Sequence, residues 1–130
     1  MVIYVIRHGE TDWNTKHWLQ GTTDIPLNRN GIEVAEITSE ALKGIPLDVI
    51  FSSPLKRAYQ TAEIMKRERQ IPLIVDERLR EVSFGSFEGL CCMGDGYNIP
   101  DPDFRNFFED PAHYTPPEDG ESIAELCVRG

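Results

Sequence analysis

Five consecutive apolar residues, Val2–Ile6, run straight into Arg7-His8-Gly9 and then into a polar stretch. So short an unbroken run, rich in β-branched residues, suits a strand buried on both faces, as in a parallel sheet. A long polar segment follows to about Leu27, punctuated by Trp13, Trp18, Gly21 and Pro26. Asn28 reads as the N-cap of a helix running to about Lys43, with Gly44 as its terminator. The apolar residues of that helix (Ile32, Val34, Ala35, Ile37, Ala41, Leu42) spread around it, which predicts broad burial. Leu47–Phe51 reads as a second short strand. Ser53 and Pro54 then read as N-cap and first residue of another helix. Leu55, Ala58, Tyr59, Ala62 and Met65 fall on one face of it. Leu73–Val75 is a third candidate strand, followed by Leu79-Arg80-Glu81 and the aromatic-glycine segment Phe84–Gly89. From Cys91 to Pro117 the chain is irregular, with a short helix expected around Phe104–Glu109. Gly120–Arg129 has the pattern of another helix. Strands alternating with helices predict an α/β fold with a mainly parallel sheet between helical layers, one domain over residues 1–130.

Composition narrows the class. With 40% hydrophobic and 27% charged residues, the 130-residue chain is of ordinary globular type. No apolar run approaches the roughly 18 residues of a membrane span. The N-terminus lacks the basic, apolar and cleavage-site pattern of a secretory signal. The three cysteines, Cys91, Cys92 and Cys127, do not form a disulfide framework, and free thiols suit a cytoplasmic protein. Cys91 and Cys92 do not match a redox C-x-x-C pair, and Cys127 is expected to face the core. The net charge is −9, with nine acidic residues and two basic ones in residues 95–130. An acidic surface argues against nucleic-acid binding, yet a local arginine cluster can still hold a small anion.

The crevice beyond the carboxyl ends of parallel strands is the usual ligand site, and the first residues past Ile6 are Arg7, His8 and Gly9. A histidine there can serve as nucleophile, base or metal ligand, or merely hydrogen-bond its loop. Gly9 permits close backbone approach, and Arg7 supplies a planar fork suited to phosphate. Arg57 lies in the first turn of a helix that follows a strand, so it and the helix N-terminus would face the crevice beside His8. Its bland reading is a solvated surface arginine. Glu81 can act as a general acid or simply pair with Arg78 or Arg80. Trp13 and Trp18 either flank a ligand or pack the long loop. His8, Glu10, Asp12 and Asp24 form a rival metal-ligand set, but their spacing matches no metal motif and the arginines would repel a cation.

Several blocks, taken together, go further. Arg7-His8-Gly9-Glu10-Thr11 with Asn14, Gln20–Leu27 with Gly31, Ser52–Ala58, Gln60-Thr61-Ala62, Leu79-Arg80-Glu81 and Phe84–Gly89 occur in one order. In that order they resemble the histidine phosphatase superfamily, its phosphoglycerate-mutase-like branch. Gly120-Glu121-Ser122 and Arg129 resemble a further, weaker block. The resemblance implies a three-layer αβα fold and hydrolysis of phosphomonoesters, or phosphoryl transfer as in a mutase. His8 would carry a phosphohistidine, Arg7 and Arg57 would hold the phosphoryl oxygens, and Asn14 with Gln20-Gly21 would add donors. Glu81 would protonate the leaving oxygen, and Glu10 would be structural. The resemblance implies a small phosphorylated metabolite as substrate and no metal or cofactor.

One departure stands against these agreements. The family's second pocket histidine lies near the C-terminus in a histidine–glycine context, and neither His17 nor His113 has that context. Both are expected to be solvated loop residues. The chain therefore resembles the family's N-terminal part, lacking a late strand and its covering helix. It would be a truncated product, a fragment whose unpaired edge favours oligomers or strand exchange, or a short variant using other groups. The rival non-enzyme reading is a phospho-ligand- or partner-binding fragment.

Overall fold

The computed structural model describes residues 1–130. Its regular elements are α1 (Asp12–Thr15), α2 (Arg29–Ala41), β1 (Ile50–Ser52), α3 (Lys56–Lys66), β2 (Leu73–Val75), α4 (Asn106–Glu109) and α5 (Ile123–Arg129), joined by short 3-10 turns. The fold is α/β. The chain divides into two compact units, Met1–Asp12 with Asp24–Glu77, and Trp13–Thr23 with Arg78–Gly130. No helix is long and apolar enough to cross a membrane.

In the first unit β1 and β2 form a two-stranded parallel sheet, with Phe51 opposite Ile74 and α3 as the connecting helix. Asn28 caps α2 as expected, its side-chain oxygen accepting from the Gly31 amide at 2.8 Å. The helix ends at Ala41 with Leu42 as its C-cap, short of Lys43 and Gly44. The Arg69 guanidinium donates to the carbonyls of Leu42 and Ile45, which fastens the turn just past the helix. Broad burial of α2 does not occur. Only Gly31 and Ala35 are buried, whereas Ile32, Val34 and Ile37 are exposed. Ala35 packs with Leu27, Ile64 and Met65, and a helix covered by one neighbouring helix hides only one stripe.

The start of α3 also differs from expectation. Leu55 is the N-cap and Pro54 lies outside the helix. Ser53 Oγ accepts from the Leu55 amide at 3.3 Å, while the first helical amide, Lys56 N, donates to Asp24 Oδ1 at 2.7 Å. A carboxylate 32 residues away thus occupies the capping role, which favours a negative charge at that end.

The largest correction concerns Val2–Ile6. The run forms no strand and stays exposed, Val5 to 92% of its surface. A β-branched apolar run becomes a buried strand only where a neighbour supplies ladder partners and a helix covers each face. The sheet here consists of β1 and β2 alone.

In the second unit, the chain around Trp18 pairs antiparallel with the chain around Cys91. The Leu19 amide donates to Leu90 O, the Gly89 amide to Leu19 O and the Cys92 amide to His17 O, each at 2.9 Å. The core gathers Leu19, Val82, Phe84, Phe87, Ile99, Phe104 and Tyr114. Its rings meet mostly edge to face, Phe104 with both Phe84 and Phe87. The irregular segment is thus packed by its aromatic residues, with α4 in the expected place. The last helix begins at Ile123, three residues after Gly120, because Ser122 and Glu125 form a reciprocal capping box. Cys127 is exposed, contrary to expectation, since α5 turns its Leu126 side to the core.

Candidate active site

The first unit brings His8 and Arg57 together. Arg57 is the second residue of α3 and only 2% exposed. Its Nε donates to His8 Nε2 at 3.2 Å. On the other side of the ring, His8 Nδ1 lies 2.7 Å from Gly9 O. A carbonyl can only accept, and the Nε–H of arginine can only donate. The pattern therefore assigns the neutral tautomer with its proton on Nδ1 and its lone pair on Nε2. That is the form in which an imidazole attacks an electrophile.

The loop carrying His8 is held by residues without reactive groups of their own. The Gly9 amide donates to Thr61 Oγ1 at 3.0 Å, and the same hydroxyl donates to Arg57 O at 2.8 Å. Thr61 thus joins the histidine loop to the helix that carries the arginine. Gly9 itself lies where a Cβ would come within 2.5 Å of Gly31 O, so a side chain there would displace the start of α2. Glu10 Oε1 accepts from the side-chain amides of Asn28 at 2.9 Å and Asn30 at 3.1 Å. This is a loop-fixing carboxylate, in line with the structural role expected of it. Asp24, weighed above as a metal ligand, caps α3 and pairs with Lys56 at 3.4 Å. Arg7 is exposed.

The remaining candidates belong to the second unit. Asn14 lies in α1, and Gln20 and Gly21 follow the strand-like pairing at Trp18. Gly21 has φ +50°, the left-handed region that glycine enters without penalty. The loop after it is organised by Glu88, which the sequence reading passed over. Glu88 Oε1 accepts from Thr22 N (2.9 Å), Thr22 Oγ1 (3.2 Å) and Phe84 N (3.0 Å). Glu88 Oε2 accepts from Thr23 N (2.8 Å) and Thr23 Oγ1. Glu81 is exposed, with its Oε1 3.0 Å from the Val82 amide. Trp13 and Trp18 pack edge to face at 5.7 Å, which is the loop-packing reading. His17 and His113 are exposed, as expected for loop histidines. Burial pushes the Cys92 thiol up, away from the reactive thiolate form.

The signature of the histidine phosphatase superfamily (branch 1) matches residues 3–130. The chain belongs to that superfamily. Among known proteins, this family member is 43% identical over 88 residues to the uncharacterized phosphatase PhoE of Bacillus subtilis (strain 168), covering 68% of the chain and 46% of that protein. It is 41% identical over 86 residues to the probable phosphoglycerate mutase GpmB of Proteus mirabilis (strain HI4320), covering 66% of the chain and 40% of that protein. The solved structure of Bacillus stearothermophilus YhfR superimposes with a TM-score of 0.81 at 38% identity, covering 95% of the chain and 60% of YhfR. The chain thus spans about half the length of these curated relatives.

Proposed function

We propose that this histidine phosphatase family member acts on small phosphomonoesters through a phosphohistidine on His8, by hydrolysis or by transfer to an acceptor hydroxyl as in a mutase. The observation that carries the reading is the His8 pair of hydrogen bonds, with the Nδ1 proton spent on Gly9 O and the Nε2 lone pair facing the Arg57 Nε–H. As the lone pair forms the N–P bond, Arg57 Nε–H leaves Nε2 and turns to a phosphoryl oxygen. Arg57 and Arg7 then neutralise charge on the equatorial oxygens, the main requirement of phosphoryl transfer. The breaking P–O bond leaves an alkoxide, which takes a proton from the Glu81 carboxyl. In the second step the Glu81 carboxylate accepts a proton from water as its oxygen attacks phosphorus and the N–P bond breaks. Asn14, Gln20 and Gly21 supply hydrogen-bond donors to the substrate. The proposed chemistry needs neither metal nor cofactor, and the acidic surface suits a free cytoplasmic metabolite rather than nucleic acid. The exposed Val2–Ile6 run supports self-association of this chain.

The deciding experiment is hydrolysis of 4-nitrophenyl phosphate by this chain, beside His8→Ala and with a chelator present. Turnover unaffected by the chelator and abolished in His8→Ala, with acid-labile phosphate trapped on His8, is the expected result. Phosphate bound without turnover would favour the phospho-ligand-binding fragment. Loss of turnover with the chelator would favour the metal-dependent hydrolase.

A further inference from the structure

The guanidinium of Arg129, at the end of α5, contacts the segment that carries Glu81. Its Nη1 donates to Arg78 O at 2.9 Å and to Arg80 O at 2.8 Å. The other edge of the fork is taken by one carboxylate, with Nε to Glu121 Oε1 at 2.7 Å and Nη2 to Glu121 Oε2 at 2.8 Å. Glu121 is also fastened to the same segment, its amide donating to Ser83 O at 2.8 Å. We infer that Glu121 and Arg129 form a positioning clamp that fixes the backbone of Arg78–Ser83 and thereby the reach of the Glu81 carboxyl. The inference rests on the proposed role of Glu81 as proton donor.

Each part of the clamp has a local physical reason. Glu77–Leu79 is a 3-10 turn, and a cation at its C-terminal end satisfies carbonyls that the turn leaves open. The capping box at Ser122 fixes where α5 starts, so Glu121 sits just outside the helix and Arg129 about two turns along it. Side chains lean toward a helix N-terminus, which returns the Arg129 fork to Glu121. Both side chains are largely covered, 24% and 17% exposed, and the two-point geometry is one that a lysine cannot reproduce. Glu81 is thus gripped on both sides, by the held carbonyl of Arg80 and by Val82, whose side chain is 1% exposed in the core. Its charge also contributes to the firm hold of Arg129 on its proton, after the larger contribution of Glu121.

The test compares Arg129→Ala and Arg129→Lys with Glu81→Gln on two esters. 4-Nitrophenyl phosphate has a leaving group that departs without protonation, whereas glycerol phosphate releases an alkoxide that needs it. Because a general acid contributes roughly 100-fold or more, Arg129→Ala should lower kcat/KM on glycerol phosphate at least about 10-fold more than on the aryl ester. Arg129→Lys should fall between it and the unsubstituted chain. Amide hydrogen exchange should rise in Arg129→Ala at Ser83 and Glu121, whose amides bond each other's residue across the clamp, and stay unchanged at Thr22 and Thr23. Equal losses on both esters, while Glu81→Gln discriminates between them, would overturn the clamp. A Glu81→Gln variant that does not discriminate would instead overturn the proton-donor role. In a chain without turnover the exchange measurement decides: unchanged protection at Ser83 and Glu121 refutes the clamp.

Discussion

Removing the Glu88 carboxylate should unfasten the loop after Gly21, and a double-mutant cycle can measure by how much. Glu88→Ala leaves three amides without their acceptor, those of Thr22, Thr23 and Phe84, and the two threonine hydroxyls that it also bonds can turn to water. A hydrogen bond to a charged acceptor contributes about 1.5–3 kcal/mol, and half-burial lets water replace part of it, so a loss of about 1 kcal/mol per amide, or about 3 kcal/mol in all, is expected. For a chain of this size that corresponds to a fall in Tm of about 10 °C. Gly21→Ala attacks the same contact from the other side. A Cβ on Gly21 would lie 2.1 Å from Glu88 Oε1 and 2.7 Å from its Cδ, so the carboxylate must move off its amides. That displacement costs about 2 kcal/mol. The left-handed φ of +50° adds roughly 1 kcal/mol for a non-glycine residue. In a Glu88→Ala background the clash with the carboxylate disappears, leaving the backbone strain and a tight 3.1 Å approach to the Phe84 nitrogen that a small shift of the loop relieves. The double variant should therefore lose about 4 kcal/mol rather than 6, a coupling of about 2 kcal/mol. Urea unfolding followed by fluorescence suits the measurement, since Trp13 packs against Gly89, next to Glu88. Additive losses, or Glu88→Ala within about 0.5 kcal/mol of the unsubstituted chain, would refute the view that this carboxylate organises the loop.

Three further outcomes are expected. Arg129 holds the Glu121 carboxyl below the usual carboxylate range, so the folded chain binds that proton less readily than the unfolded one. This stabilisation is complete above the ordinary carboxylate pKa and is lost as pH falls through the lowered folded value. Urea midpoints of Glu121→Gln should thus approach those of the unsubstituted chain below about pH 4 and fall behind them above it, and parallel pH curves would sink the assignment. Thr61→Val keeps the shape but removes the acceptor of the Gly9 amide, and it should cost about 1–2 kcal/mol and slow any turnover through His8, read by melting and by initial rates. Val5→Lys, on a side chain already exposed, should leave Tm within about 2 °C while shifting sedimentation toward monomer, and unchanged self-association would remove Val2–Ile6 as the contact.

What could be read from the sequence divides by the range of the interaction. Asn28 caps its helix through an amide three residues on, and a motif that local needs only the residue types in order. The pairing of His8 with Arg57 was legible for another reason. A residue after one strand and a residue opening the helix after another were expected to face one crevice, and the two side chains do meet. Thr61 could have been found too, since it lies one helical turn past Arg57 on the same face. Asp24 and Glu88 could not. Each satisfies backbone donors more than 30 residues away, at Lys56 and at Thr22 and Thr23, and a lone acidic residue in a loop carries no mark of which amide it will reach.

Val2–Ile6 shows the converse limit. Its pattern describes the surroundings that such a run suits, a strand with ladder partners on both edges, but not whether those partners are present. Exposed, it offers five apolar residues next to the loop that carries His8. The geometry of His8 does not depend on that strand. It is set by Gly9 O, by the Thr61 hydroxyl and by the first turn of α3, itself anchored by Asp24. His8 and Arg57 are thus held together while the sheet beside them has only two strands. The pairing of His8 with Arg57 and the exposure of Val2–Ile6 are accordingly separable features. Val5→Lys should change association without changing affinity for orthovanadate, whereas Arg57→Lys should weaken vanadate binding and leave association as it was.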